Sequence, residues 1–273
     1  MAARVAVLCD NEALPGFAAE WGLSLFVETR SGRRALWDAG RTGLFLDNAV
    51  RLGVDLSSLD AAALSHGHYD HGDGFPRLME RAGFTGPFHA HPGHAAARYA
   101  LDDDGSIQPV GLGAEARQTL AGFSPVTDVA EIVPGLVMLS AIPRQEGLSH
   151  AGCGLFLDAA GTVPDPLPDD ACLVLDSRSG PVLVLGCCHA GLANTLRHVR
   201  DVLGLRRLAA VAGGLHLYDA GPAALSETRD ALREYCVERV FPGHCTGRKA
   251  VDWLAREMPG RVEPLAAGRV LGF

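Results

Sequence analysis

Short apolar runs near both ends of the chain predict β-strands. Runs of this length, bounded by polar residues and glycine, are typical of strands rather than helices. They lie at 4–10, 23–29, 33–40, 61–64, 171–176, 181–186, 208–214 and 239–242. The turn at 177–180 is rich in serine and contains glycine, so it predicts a hairpin between the two strands that flank it.

Apolar residues spaced three and four apart predict helices between and after these strands. The stretches with this spacing are 42–53, 75–83, 193–204, 225–236 and 248–258. We expect Thr42 and Ser226 to be N-caps and Gly53 to end the first helix. Because strands lie early and late with helices between them, we expect an α/β fold (α+β by some schemes). Two packed mixed sheets with outer helices are favoured over a single doubly wound sheet.

Two segments of the chain show no clear periodicity. Residues 100–135 and 143–170 are rich in glycine, aspartate and proline, and strand signals resume on either side of them. We therefore interpret them as loops or insertions near a site, within a single domain that spans residues 1–273. They are not linkers between domains on this interpretation.

Composition excludes several classes of protein. The 273 residues are 48% hydrophobic and 21% charged, as in ordinary globular proteins. A net charge of −8 argues against nucleic acid as the main partner. No apolar run approaches the ~18 residues of a membrane span, and no secretory leader is evident. The seven cysteines are odd in number and form no CxxC pair, which favours free thiols in a reducing cytoplasm.

Four of the predicted strands run into histidine within a few residues. The first runs into SHGHYDHGDG (65–74), and the residues of interest after the four strands are His66, His68, Asp70, His71, His189, His216 and His244. Strand ends in layered folds converge on one rim, so these side chains are expected to lie together. Taken singly, His189, His216 or His244 would more often be a hydrogen-bonded structural residue than a ligand, but the dense motif already supplies a core of ligands. Imidazole and carboxylate groups suit a divalent cation such as zinc. The six of these groups other than His216 are too many for one tetrahedral ion and suit two ions.

Other histidines and cysteines receive less specific interpretations. His89, His91 and His94 surround a proline turn without a carboxylate partner, so we expect surface or packing roles. Cys188 and Cys245 adjoin histidines of the predicted site. A nucleophilic role would need a general base, and the histidines are already assigned to metal. We expect both thiols to be packed neighbours, with metal contact as the weaker alternative.

The motif HGHYDHGDG resembles the HxHxDH signature of the metallo-β-lactamase superfamily. This resemblance implies an αββα sandwich of two packed mixed sheets with outer helices and two metals at one edge. The blocks WDAG, GCCHAG, GGLHL and PGHCTG, in that order, and the opening CDNEALPGFAAEWGLSLFVET extend the resemblance over nearly the whole chain. They are similar to a branch of the superfamily, the 7,8-dihydropterin-6-methyl-4-(β-D-ribofuranosyl)aminobenzene-5'-phosphate synthase-like proteins.

The resemblance also implies roles for individual residues. One metal would be held by His66, His68 and His189, and the other by Asp70, His71 and His244. Asp38 in WDAG would orient a ligand histidine through its other ring nitrogen, the alternative being a simple turn residue. Hydrolytic members usually carry a bridging aspartate where this chain has GGLHL, with no carboxylate before Asp219. We therefore expect His216 to face the substrate as a proton donor or hydrogen-bonding group, with ligand and structural roles as alternatives.

The predicted function is that of a dinuclear-metal enzyme acting on a phosphorylated or pterin-like small molecule. Asp70 and His216 are the predicted catalytic residues, and the cofactors are two divalent ions, zinc first, with manganese or iron as alternatives. Asn194 and Thr195, at the start of a helix, are expected to contact an anionic substrate. Arg144 is a further candidate contact, with an ordinary surface role as the alternative. A hydrolase of a lactone, thioester or phosphoester and a non-catalytic metal-bearing sensor are the alternatives. No nucleic-acid or membrane partner is expected, and a homodimer is left open.

Overall fold

The computed structural model describes residues 1–102, 104–150 and 154–273, so Cys153 lies outside the described residues. Within these ranges the strands, in chain order, are β1 (Arg4–Cys9), β2 (Ser24–Glu28), β3 (Arg34–Trp37), β4 (Ala61–Ala63), β5 (Phe88–Ala90), β6 (Tyr99–Leu101), β7 (Ile107–Pro109), β8 (Ser124–Pro125), β9 (Val129–Val133), β10 (Leu136–Leu139), β11 (Leu155–Phe156), β12 (Cys172–Leu175), β13 (Val182–Leu185), β14 (Ala210–Gly214), β15 (Arg239–Gly243) and β16 (Val270–Gly272).

The helices lie mainly between and after these strands. In chain order they are α1 (Leu44–Leu52), α2 (Tyr69–Gly72), α3 (Phe75–Ala82), α4 (Ala114–Thr119), α5 (Leu192–Leu203), α6 (Pro222–Glu234) and α7 (Arg248–Glu257). Short 3₁₀ turns occupy Leu56–Ser58, Pro92–Ala95, Leu120–Gly122 and His244–Thr246. Among the described residues, no helix has both the length and the apolar character needed to cross a bilayer.

Two mixed sheets form the centre of the fold. The first has the strand order β16-β1-β2-β3-β4-β5-β8, and the second has the order β15-β14-β13-β12-β10-β9. In the first sheet β3, β4, β5 and β8 run parallel. In the second, β13, β14 and β15 run parallel, with Val182 opposite Ala210 and Ala210 opposite Arg239. A separate three-stranded sheet, β11-β6-β7, lies beside them.

Side chains that alternate between the two faces of each strand divide the buried apolar residues into three hydrophobic layers. Val5 and Val7 of β1 belong to the core between the two sheets, together with Leu173 of β12. The intervening Ala6 and Leu8 belong to the core beneath α1 and α3, because successive side chains of a strand point to opposite faces. The outer face of the second sheet is covered by α5, α6 and α7. The predicted αββα sandwich is therefore confirmed.

The two predicted N-caps are wrong, whereas the predicted stop is confirmed. Helix α1 begins after Gly43, and the Thr42 hydroxyl accepts a bond only from the Leu44 amide at 3.2 Å. Helix α6 begins at Pro222, one turn before Ser226, because proline at the first helical position already has the required φ. Gly53 ends α1 in the left-handed conformation with φ +67°.

The prediction that residues 100–135 are loops is wrong in part. This segment contains β7, α4, β8 and β9, and β9 joins the edge of the second sheet, pairing with β10. As an edge strand, β9 exposes alternate residues such as Glu131, so its sequence lacks the continuous apolar run of a buried strand. Residues 143–170 contain β11 among the described residues and are otherwise irregular, as expected.

Truncating a side chain of the inter-sheet core should destabilise the protein far more than truncating a surface leucine. Leu173 is fully buried, whereas Leu101 is 52% exposed. We expect Leu173→Ala to reduce the free energy of unfolding by about 2–5 kcal/mol through lost contacts and a residual cavity. Leu101→Ala should change it by about 0.5 kcal/mol or less. Urea denaturation followed by far-UV circular dichroism measures both, and equal effects would contradict this description of the core.

Candidate metal centre

The parallel strands of both sheets end at one edge, where the predicted site residues meet. Asp38 follows β3, Ser65 and His66 follow β4, and the remaining histidines follow strands of the second sheet, namely His189 after β13, His216 after β14 and His244 after β15. Helix α2 begins three residues after His66 and includes Asp70 and His71. The topology thus brings together all six predicted ligands from distant parts of the chain.

Unusual backbone conformations occur at this edge. Asp38, Cys188, His216 and His244 have φ angles of +57°, +59°, +46° and +49°. Non-glycine residues in this region each cost about 1–3 kcal/mol and persist only where the surrounding structure imposes them. At Gly186 a Cβ atom would overlap the Ser65 hydroxyl, so only glycine permits the two sheets to approach here. The chain therefore turns sharply as it leaves each strand, and the site is assembled under strain.

His66, His68 and His189 form the first ligand set. The Nε2 atom of His66 lies 2.9 Å from Nδ1 of His68 and 3.2 Å from Nε2 of His189. Their ligand atoms all lie within 4.8 Å of one another, and all three residues are buried. Zinc–nitrogen bonds of tetrahedral geometry place ligand atoms about 3.3 Å apart. The spacing of these nitrogens fits one divalent ion.

Asp70, His71 and His244 form the second ligand set. The Nε2 atoms of His71 and His244 are 3.1 Å apart, and Oδ2 of Asp70 lies 3.4 Å from the latter. The separation between Asp70 Oδ2 and His71 Nε2 is 4.0 Å. These three atoms also lie within 4.8 Å of one another. The two sets adjoin, since the rings of His66 and His71 have centroids 4.3 Å apart.

The protonation states of the first set and of Asp70 favour cation binding. Burial lowers the pKa of His66 and His189, and it lowers that of His68 to about 3. Burial acts to raise the pKa of Asp70, but the neighbouring His71 and His244 outweigh it, so the pKa is lowered. Neutral imidazole and ionised carboxylate are the forms that bind a metal. Burial acts to lower the pKa of His71 and His244, but the carboxylates of Asp38 and Asp70 outweigh it at His71 and the hydrogen bond to Asp70 outweighs it at His244. Both pKa values are therefore raised, and these two imidazoles would lose a proton when a metal binds. The residues present therefore fit a pair of divalent ions.

A network centred on Asp38 orients ligands of both sets. Nδ1 of His71 donates to Oδ2 of Asp38 at 2.7 Å, which leaves Nε2 of the same ring directed at the second set. The Ser65 hydroxyl donates to the same carboxylate at 2.7 Å and lies 2.8 Å from Nδ1 of His66. The Ser65 amide donates to Oδ1 of Asp38, also at 2.7 Å. A single buried carboxylate thus acts directly on His71 and through Ser65 on His66.

Sequence reasoning missed Ser65 and the groups that hold His244. Nδ1 of His244 lies 3.0 Å from Oδ1 of Asn11, and the His244 amide donates to Asp10 at 3.0 Å. Asp10 and Asn11 follow β1, which runs in the same direction as β3 and so ends at the same edge. The signal available was the polar pair directly after the first buried strand.

A second group missed by sequence reasoning is the buried cluster of Arg98, Asp165 and Asp169. Arg98 binds Asp169 through two nitrogens at 2.6 and 2.8 Å and forms an ion pair with Asp165 at 2.9 Å. Asp169 also accepts from the Gly67 amide at 2.8 Å, which anchors the loop between His66 and His68. The only sequence signal was the aspartate pair before β12, and nothing in it identifies Arg98 as the partner.

His216 lies beside the first ligand set. Its ring centroid is 4.4 Å from that of His189, yet His216 belongs to none of the metal-ligand groups found among the described residues. It lines a cavity of about 150 Å³, together with Ser149, Asp219 and Glu227. Burial, followed by the charge of His244, lowers the pKa of His216. A neutral imidazole at the wall of this cavity can exchange a hydrogen bond or a proton with a small molecule.

The three predicted substrate contacts differ in their surroundings. Nε and Nη2 of Arg144 are buried and have no hydrogen-bond partner within the described ranges of the chain. Asn194 is hydrogen-bonded at both ends of its amide, since its Oδ1 accepts from the Gln145 amide and its Nδ2 donates to the Ala190 carbonyl. Thr195 is buried and donates to the Gly191 carbonyl at 3.1 Å. Substrate contact by Asn194 and Thr195 stays a prediction, whereas Arg144 has donors to spare.

His91 and His94 pack and hydrogen-bond within the turn that contains them. The His94 ring stacks edge-on against Phe123 with centroids 4.6 Å apart, and its Nδ1 donates to the His91 carbonyl at 2.9 Å. His91 accepts from the Gly93 amide. Among the cysteines, Cys188 lies 3.4 Å from the Thr195 hydroxyl, as a packed neighbour would.

Replacing Asp38 by asparagine should weaken metal binding without unfolding the chain. Asparagine keeps the shape of the aspartate side chain and tolerates the left-handed backbone conformation. Its NH₂ group, however, would face one of the groups that now donate a hydrogen bond to the carboxylate. Removing such an orienting group typically costs ~10–100-fold in metal affinity. Competition with a chromophoric chelator measures the affinity, and exposed Asp176→Asn is the matched control. Equal affinities in the two variants would contradict the orienting role.

Comparison with known proteins gives the family. The family model described as the metallo-beta-lactamase superfamily matches residues 22–244. The chain is 28% identical to the 7,8-dihydropterin-6-methyl-4-(beta-D-ribofuranosyl)-aminobenzene-5'-phosphate synthase of Methanocaldococcus jannaschii, over 94% of this chain and 91% of the relative. An uncharacterized protein of the same organism is 27% identical over 92% of this chain and 94% of its own length.

A solved structure agrees with this result. The crystal structure of Tm1679, a metal-dependent hydrolase of the beta-lactamase superfamily, superposes with a TM-score of 0.83 and 28% sequence identity. The match covers 98% of each chain. Since the family model spans most of the sequence and both sheets follow the same architecture, the chain belongs to the metallo-β-lactamase superfamily.

Proposed function

We propose that this protein is a dinuclear-metal enzyme whose substrate is a small phosphorylated or pterin-like molecule. The observation that supports it most is the pair of adjoining, buried ligand sets with their orienting network. The expected cofactors are two divalent ions, with zinc favoured by the imidazole-rich ligands. The complete set of six ligands disfavours a metal-bearing sensor without turnover, because a site that had lost its catalytic role would be expected to have lost at least one of these ligands.

Two features on the protein side favour an anionic substrate. The six ligands contribute one carboxylate, so two bound divalent ions would leave the centre with a net positive charge. Arg144 has buried donors that find no hydrogen-bond partner among the described residues. Such positive charge attracts phosphate and carboxylate groups.

The protein groups would divide the chemistry among them. Paired divalent ions supply Lewis acidity, polarising a carbonyl or phosphoryl oxygen and making water more acidic. Asp70 would hold one ion in place, and its ionised carboxylate offsets part of the local positive charge. His216, neutral and at the wall of the adjoining cavity, would donate or accept a proton at the substrate. Arg144 would neutralise an anionic group as it binds.

A hydrolase is the second candidate, and a specific comparison favours it. Tm1679, which shares 28% identity and nearly the full length with this chain, is described as a metal-dependent hydrolase. The relative of similar identity from Methanocaldococcus jannaschii is a synthase. Fold similarity fixes a scaffold better than a reaction. Turnover of a lactone, thioester or phosphoester by water alone would favour the hydrolase.

Metal content of the purified protein tests the proposed site directly. We expect about two ions per chain by elemental mass spectrometry, with zinc, manganese and iron all quantified. His66→Ala and Asp70→Ala should each abolish turnover and lower the bound metal, because each removes a ligand of a different set. His91→Ala, outside both sets, is the control and should keep the full metal content. Full metal content in both ligand variants would refute the assignment.

Substitution of His216 separates a substrate contact from a metal ligand. Asparagine tolerates the left-handed backbone at this position and retains hydrogen-bonding ability without the imidazole. We expect His216→Asn to keep the metal content of the parent and to lower kcat on nitrophenyl phosphate esters or lactones by ~10²-fold or more, as for a lost general acid or base. Loss of about one ion in this variant would instead identify His216 as a ligand.

A further inference from the structure

The sulfur of Cys187 lies between the two ligand sets. Its Sγ atom is 3.1 Å from Nε2 of His71, and the side chain is buried with 3% exposure. It forms a ligand-like group with His66 and His71, one residue from each set, whose atoms all lie within 4.8 Å. It forms another such group with His244 and Cys245. In the described part of the chain, no carboxylate is grouped with ligands of both sets in this way.

Charge gives this position a chemical consequence. Two divalent ions bring four positive charges, and Asp70 is the one anionic side chain among the six predicted ligands. A buried, uncompensated charge is costly, so a further anion between the ions would stabilise the pair. Thiolate is a good ligand for zinc, with a bond of about 2.3 Å. A thiol in contact with a bound divalent ion loses its proton to solvent.

The neighbouring cysteines are less well placed. Cys188 follows directly but is directed toward the Thr195 hydroxyl, at 3.4 Å, and belongs to neither group. Cys245 is grouped with His244 of the second set and with Cys187, but not with any residue of the first set. Its Sγ donates to the Cys187 carbonyl at 3.6 Å. Of the three, only Cys187 reaches both sets.

We propose that Cys187, as a thiolate, is a metal ligand shared by the two ions. This inference rests on the proposed dinuclear site and adds a seventh ligand to it. Binding the metal pair would release the thiol proton and form metal–sulfur bonds, with no change in oxidation state. Gly186 and the left-handed Cys188 on either side hold the Cys187 backbone at this edge, which keeps its sulfur at the junction of the two sets.

Cobalt substitution provides the test, because a thiolate bound to Co²⁺ gives a sulfur-to-metal charge-transfer band in the near ultraviolet. The full chain would be depleted of metal and reloaded with two equivalents of Co²⁺, and bound cobalt would be counted separately. We expect the band in the parent protein and in the Cys188→Ser and Cys245→Ser controls. It should be absent from Cys187→Ser.

The outcomes are distinguishable. Bound cobalt without a band in the parent, a band that survives in Cys187→Ser, or a band lost in Cys245→Ser would each overturn the shared-ligand inference while leaving the dinuclear site intact. Failure of the parent to bind cobalt or zinc would overturn the proposed function and this inference together.

A second measurement applies if Cys187→Ser does not fold, as judged by circular dichroism. X-ray absorption at the zinc edge of the parent and of both control variants should show a sulfur shell at about 2.3 Å in all three. A shell of nitrogen and oxygen alone in the parent would overturn the inference without the need for the Cys187 variant.

Discussion

The contact on which the site depends is the bond between the Asp38 carboxylate and Nδ1 of His71. It determines which nitrogen of that imidazole is free for a metal, and the same carboxylate reaches His66 through Ser65. Asp38 is completely buried, and its carboxylate accepts hydrogen bonds from the Ser65 amide, the Ser65 hydroxyl and Nδ1 of His71, which compensate for the loss of water. An orientation fixed in this way is maintained before any ion binds, which lowers the entropic cost of assembling two adjoining sets of ligands.

The sandwich provides the frame in which that contact can form. Parallel strands in each sheet end at one edge, and the strained residues that follow them direct side chains inward from both sheets. The strain is offset by the core between the sheets and by the buried Arg98–Asp169 pair, which anchors the loop that bears His66 and His68. The packed layers thus stabilise the fold enough to maintain strained backbone conformations at the edge, as is common for functional sites.

Charge is the property that separates this centre from a generic metal site. The first set consists of three histidines, which carry no negative charge, and burial disfavours their positively charged forms. The positive charge of bound metal must then be met by Asp70, by the Cys187 sulfur or by the substrate itself. Under the proposed function, this balance of charge would favour the binding of anionic molecules over neutral ones, for synthesis and hydrolysis alike.

The sequence by itself determined the layered α/β fold, most strands and helices, and the six clustered ligand candidates. These features are encoded locally, in the periods of two residues for strands and about 3.6 residues for helices, and in ligand residues that closely follow apolar runs, four of the six in one dense motif. The edge strand β9, the start of α6 at Pro222, the Arg98–Asp169 pair and the position of Cys187 were decided by tertiary structure. Arg98 and Asp169 are separated by 71 positions in the sequence, and Cys187 is separated from its contact His71 by 116 positions. Periodicity carries no information about such distances, and only the packing of one sheet on the other brings these groups together.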